Sequence, residues 1–185
     1  DAPSSVMLAF VPAESVGMKG TEDQQEIDGN EELLKYLEEI RGIACVKCGM
    51  AKDLEDATKN SPAFPMVAFI TEAQDYYYPP ENRTIKKEDV DLVSRLMFMQ
   101  VLHKTYAGTA TVCTGVAAKI KGTLVNQVLH NDNPPELVRI GHPAGMIPCY
   151  SIVDENNNVK KAAIVRTARR FMEGYALLEK SKYQG

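Results

Sequence analysis

Short apolar runs punctuate the chain, and one long polar stretch between them carries apolar residues at helical spacing. Val6–Val11 (VMLAFV) and Pro65–Ile70 (PMVAFI) are continuous apolar runs of strand length beside a proline, and they predict buried strands. Val90–Met99 (VDLVSRLMFM) alternates only in part, because Val93 and Met97 interrupt the period; it is read as a strand. Glu136–Ile140 predicts another strand, and Met146–Val153 and Val159–Val165 predict a hairpin around the turn Asp154–Asn158. Arg166–Leu178 is expected to continue extended, with Gly174 as a bulge. Ser15–Asn30 reads as a loop, and Asp56–Pro62, Asp75–Asn82 and Asn131–Pro135 read as turns.

Two stretches predict helices of different kinds. From Asn30, NEELLKYLEEIRGIACVKCGMA has a capping residue, Glu31 and Glu32 in its first turn, and an apolar face of Leu33, Leu34, Leu37, Ile40 and Ile43 or Ala44. Gly108–Lys121 (GTATVCTGVAAKIK) is apolar on nearly every side and charged only at its end, as expected of a helix enclosed by its domain. Thr109 or Thr111 is expected to cap it and Gly122 to end it. Strands, one surface helix and one enclosed helix together predict an α+β domain in which a curved sheet wraps the enclosed helix.

Composition narrows the classes. The 185 residues support one domain, or two small ones. A formal charge of −4 offers no electrostatic footprint for nucleic acid, and no apolar run approaches the ~18 residues of a membrane span. Four cysteines in a chain this long fit reduced thiols and a cytoplasmic setting better than a disulfide framework. The opening DAPSS has no Met and runs at once into a strand pattern, so a preceding segment is expected.

Candidate chemistry is sparse. Cys45 and Cys48 form a C-x-x-C, but near the end of a helix and without a second pair or a histidine, so ordinary helix residues are the plainer reading. Cys113 lies in the first turns of the enclosed helix, where the dipole favours a carboxylate ligand and lowers a thiol pKa; a small buried core cysteine is the equal alternative. His142 sits in Gly141-His142-Pro143-Ala144-Gly145 at the end of a strand, where an imidazole binds a carboxylate, moves a proton, or merely stiffens a turn. His103 and His130 lack a partner pattern and read as surface residues. Arg166, Arg169 and Arg170 read as a solvated face or as salt bridges to another lobe ahead of an anion site. The sequence holds no P-loop, no dinucleotide fingerprint and no metal cluster.

His103–Ala118 (HKTYAGTATVCTGVAA), Arg139–Gly145 (RIGHPAG), Val165–Gly174 (VRTARRFMEG) and the helix segment Leu37–Arg41 resemble, in order and spacing, the PrpF-like proteins, the 2-methylaconitate cis–trans isomerases and their relatives. The resemblance implies a diaminopimelate-epimerase-like fold of two lobes, each a mixed sheet around a buried central helix, with the active site between them. It makes residues 1–185 the second, C-terminal lobe, with the terminal strand segment 165–185 packing on a first lobe that this chain lacks. The implied activity is a cofactor-free 1,3-proton shift on a small unsaturated di- or tricarboxylate such as methylaconitate or aconitate. In its terms Cys113 is the acid/base, and Gly108, Thr109, Thr114, Gly141, His142, Pro143, Ala144, Gly145 and Ser4 bind substrate. The implied partners are that substrate and the first lobe, without metal, nucleic acid or membrane.

Two departures bear on activity. Ala144 stands where the family usually carries Ser, and Ser4 where relatives carry an Asn facing substrate. Because the first lobe with its proton-transfer residues is missing, the isolated chain is expected to be inactive; a non-catalytic module binding an organic acid or a protein, with Ala144 and Ser4 as its signs, is the alternative.

Overall fold

The first apolar run forms β1 (Leu8–Pro12), which pairs in parallel with the second, β2 (Met66–Glu72). The computed structural model describes residues 8–131, 134–166 and 168–179. Ser4 lies outside them, as do Val6, Met7 and the end of the terminal segment. Between the two strands come α1 (Gln24–Asp28), α2 (Glu31–Lys47) and α3 (Leu54–Asn60). A small hairpin follows, β3 (Tyr76–Tyr78) with β4 (Arg83–Ile85), then β5 (Leu92–Phe98) and the short β6 (Val101–Leu102). The rest is α4 (Gly108–Ala117), α5 (Leu124–Val128), β7 (Leu137–His142), β8 (Gly145–Val153) and β9 (Val159–Ile164).

Among the described residues the main sheet runs β1-β2-β5-β7-β8-β9, with β6 on β5. Its β1–β2 and β5–β7 pairs are parallel and the others antiparallel. This is an α+β fold built on a curved mixed sheet. Both faces of β2 are covered, which is why it reads as an unbroken apolar run. Met66, Ala68 and Ile70 join Leu92, Leu96, Ala110, Val125 and Ile140 in one core. Val67 and Phe69 point the other way, onto Ile27 and Leu37. α4 packs across β7, β8 and β9, with Ala110, Thr111, Thr114 and Gly115 buried.

Asn30 caps α2 as the sequence predicts, its side chain accepting from Leu33 N–H at 3.0 Å. The inner face includes the expected Leu33, Leu34 and Leu37, which pack on the core, with Ile40 and Ala44 half-buried, and it extends to two residues not expected there. Leu37, Arg41 and Cys45 are buried at i, i+4 and i+8, whereas Ile43 is exposed. Arg41 belongs inside because its guanidinium bonds Glu38 and the carbonyls of Ser61 and Phe64, so the buried charge is fully engaged.

Further expectations are corrected. The loop Ser15–Asn30 contains α1, stabilised by an Asp23–Glu26 capping box and anchored by the buried Ile27. The turn at Asp56–Pro62 is largely helix α3, capped by Asp53 and anchored by Ala57, and Tyr76–Tyr78 is a strand within the expected turn Asp75–Asn82. α4 stops at Ala117, not Lys121; its N-cap is Ala107, so Thr109 and Thr111 lie inside it and neither caps it. Thr111 returns its hydroxyl to the Ala107 carbonyl at 3.0 Å. Finally, β9 ends at Ile164 and the described residues of 165–179 form neither strand nor helix. Among the described residues no helix is long and apolar enough to cross a membrane.

Candidate active site

Three separate stretches of sequence converge on an open cleft of about 450 Å³. Its lining includes His103, Tyr106, Gly108, His142 and Arg166. Each arrives for a local reason. His103 follows β6 and is held by its N–H to the Leu96 carbonyl at 2.8 Å. Gly108 opens α4, whose N-cap Ala107 has no capping side chain, so the first-turn N–H groups of the helix have no side-chain acceptor there. Arg166 lies two residues past β9. A Cβ on Gly108 would come within 2.8 Å of Arg166 Nη2, so glycine is what lets the guanidinium approach the helix end.

His142 ends β7, on the same side as the buried Ile140, and is itself buried. The next two residues, Pro143 and Ala144, are the whole connection to β8, since His142 pairs with Gly145. Within this tight turn His142 Nδ1 accepts the Ala144 backbone N–H at 3.2 Å. A neutral ring bonded in that way carries its proton on Nε2. Burial is the first cause holding the imidazole neutral, with the charges of Arg95 and His103 behind it, and its pKa falls to about 4. The ring lies 6.4 Å from that of Tyr106.

Behind His142 the Tyr106 hydroxyl contacts Ser94 Oγ and Thr114 Oγ1, each at 3.0 Å. Ser94 donates to the Phe69 carbonyl and Thr114 to the Ala110 carbonyl. Burial raises the Tyr106 pKa, so this is a neutral polar cluster that supports the floor of the cleft.

The predicted residues thus separate. Gly108 and His142 line the cleft. Thr109 is exposed on the first turn of α4, while Thr114 is fully buried with its hydroxyl on Tyr106. Gly141 admits a protein ring, since a Cβ there would come within 2.9 Å of the Tyr76 ring, while Gly145 takes a φ of +119°. Pro143 and Ala144 line a neighbouring cleft of about 380 Å³ with Arg95 and Lys104. Cys113 is the sixth residue of α4, half-buried and outside the cleft lining. Burial raises its pKa, opposite to the expected effect of the helix dipole, so it is a thiol at neutral pH. Cys45 is buried and Cys48 is exposed as the α2 C-cap, both as free thiols. Sequence reasoning missed His103 and Arg166. Their signal was position inside the family-like stretches, and only the fold shows that both face His142. Among the described residues no cluster of His, Cys, Asp and Glu could hold a metal ion.

The buried neutral imidazole makes stability pH-dependent. Its pKa is about 4 folded against 6.5 for an ordinary histidine, so the unfolded chain binds more protons between those values. The contribution is complete above pH 6.5 and is lost as pH falls toward 4, about 3 kcal/mol in all. Urea denaturation from pH 7 to 4 is expected to show this slope, and His142→Gln is expected to flatten it. An unchanged slope in the variant would place the acid sensitivity elsewhere.

Comparison with known proteins adds to the geometry. The family model "PrpF protein" matches residues 3–179. The chain is 60% identical over 173 residues to a "3-methylitaconate isomerase" of Eubacterium barkeri, covering 94% of this chain and 45% of that protein. It is 36% identical over 180 residues to a "2-methyl-aconitate isomerase" of Shewanella oneidensis, covering 96% and 45%. A crystal structure of methylitaconate-delta-isomerase superimposes with a TM-score of 0.84 at 59% identity, covering 95% of this chain and 45% of that one. The chain therefore spans under half the length of these relatives.

Proposed function

The chain belongs to the PrpF family, and on that premise we propose that it supplies one lobe of an isomerase acting on a small unsaturated di- or tricarboxylate. The observation that carries this reading is the cleft itself. Arg166, His103, the Nε2–H of His142 and the opening of α4 all present positive charge or N–H donors to one space. Such a set suits a carboxylate and, more so, the charge that develops when a proton leaves a neighbouring carbon.

The reaction is an allylic shift. A base from the other lobe takes the proton of a C–H bond beside the carboxylate, the bond's electron pair spreads through the double bond to the carboxylate as a dienolate, and an acid returns a proton at the far carbon. This chain anchors the carboxylate through Arg166 and stabilises the dienolate through His142. The other, first lobe of the site comes from the remaining sequence, which in the relatives is more than half the protein. The exposed tail supports that arrangement: Phe171, Met172, Tyr175 and Leu177 are each at least 82% exposed, as expected of a segment that packs on another body. α4 is then the central helix of a diaminopimelate-epimerase-like lobe.

The test joins the chain to the rest of the Eubacterium barkeri relative and follows methylitaconate isomerisation by proton NMR in D₂O. Turnover with deuterium at the carbon that gains the proton is expected, with none from the chain alone. Arg166→Met is expected to raise KM roughly 10–100-fold, the effect of one charge-assisted hydrogen-bond pair. No turnover and no carboxylate binding by calorimetry in the joined protein would overturn the reading.

A further inference from the structure

Arg95 is 1% exposed at the centre of β5, and among the described residues no carboxylate forms an ion pair with it. Its Nε donates to the Glu22 carbonyl at 2.5 Å and its Nη1 to the Ser94 carbonyl at 3.0 Å. Burial brings its pKa down to about 10 even though Glu22, Glu26 and Asp23 attract its charge from beyond ion-pair distance, so the cation is costly to keep there. What it faces is the ring of Tyr76, with Cζ 5.5 Å from the centroid.

Tyr76, 3% exposed, holds both legs of the turn that carries His142. Its hydroxyl donates to the Gly145 carbonyl at 2.6 Å, and its ring occupies the space where a side chain at Gly141 would stand. The bond from Ala144 N–H to His142 Nδ1 exists only while those legs keep their register. Nothing else in the turn fixes which imidazole nitrogen carries the proton.

We propose that Arg95 and Tyr76 are a positioning pair, which clamps the Gly141–Gly145 turn so that His142 is held as the neutral imidazole with its Nε2–H directed to the cleft. Arg95 acts twice: it fixes the Tyr76 ring, and its positive charge opposes a second proton on His142. Among the described residues, the titratable and charged groups around the His142 turn are Arg95 on β5, His103 and Lys104 past β6, Tyr76 on β3, Tyr106 ahead of α4 and Arg166 past β9, with Glu22 and Asp23 across the neighbouring cleft from Pro143 and Ala144. The use of the Nε2–H in isomerisation rests on the function proposed above, while the clamp itself is a property of this chain.

Histidine-labelled NMR on the chain reads the pair directly, through the Nδ1 and Nε2 shifts of His142 against pH. The native chain is expected to show the Nε2–H tautomer down to about pH 5. Arg95→Met is expected to raise the titration midpoint by about one unit, and Arg95→Lys, which keeps the charge, to restore most of it. Tyr76→Phe, which loses the hydroxyl's bonds to the Gly145 carbonyl and to the His142 backbone, is expected to leave a mixture of tautomers. Should Arg95→Met fail to fold, Tyr76→Phe and Arg95→Lys decide. A folded Tyr76→Phe or Arg95→Met variant with an unchanged His142 tautomer and midpoint would overturn the proposal. The readout needs no turnover, so its failure is distinct from failure of the isomerase reading.

Discussion

In the chain joined to the rest of the Eubacterium barkeri relative, replacing His142 by Ala is expected to lower kcat/KM for methylitaconate roughly 10²–10³-fold, the effect of removing one preorganised donor from a developing oxyanion. The loss is expected mainly in kcat, because a neutral N–H gains most from the charge that appears only in the transition state. His142→Gln is expected to recover part of the rate, since its amide both accepts the Ala144 N–H and offers an N–H to the cleft. With the imidazole neutral down to about pH 4, the pH profile between 5 and 8 is expected to carry no limb from this residue. A loss below about threefold in His142→Ala, measured by initial rates, would remove His142 from the chemistry.

Gly115→Ala is expected to destabilise the chain by about 3 kcal/mol, at the upper end for overpacking a core. A Cβ there would stand 2.7 Å from Cys149 Cβ and closer still to its Sγ. Cys149 cannot retreat, being fully buried on β8 with α4 packed across it. α4 cannot shift freely either, because the Gly115 carbonyl accepts from the buried Ser151 hydroxyl at 2.8 Å. The gain in helix propensity from Gly to Ala, about 1 kcal/mol, only partly offsets the clash. Urea denaturation measures the loss, and Cys149→Ala is expected to relieve part of it by removing the sulfur. A Gly115→Ala chain as stable as the native one would show that α4 and β8 are less tightly joined than the geometry requires.

How far the fold was legible differed from element to element. β2 was readable because both of its faces are buried, and α2 because Asn30 and two acidic residues mark its start. α1 and α3 were not, although each carries an Asp cap, because five and seven residues are too few to show a period. Each rests on one buried anchor, Ile27 or Ala57, whose burial is a tertiary event. The tail was read as extended sheet from its composition. Sheet formation needs a partner strand, and no pattern within the segment tells whether one is available.

The site divides on the same line. By itself the sequence determined the family, the strand that delivers His142, the glycine-bounded turn behind it and the helix that opens at Gly108. Those are local matters of spacing and backbone preference. Only the tertiary structure decided which groups share a cleft. It brought His103 and Arg166 to His142, and it set Cys113 back in the second turn of α4, where burial outweighs the helix field. It also showed that Gly141 makes room for Tyr76. Burial and through-space charge depend on neighbours far apart in the chain, and they set the protonation state on which the chemistry depends.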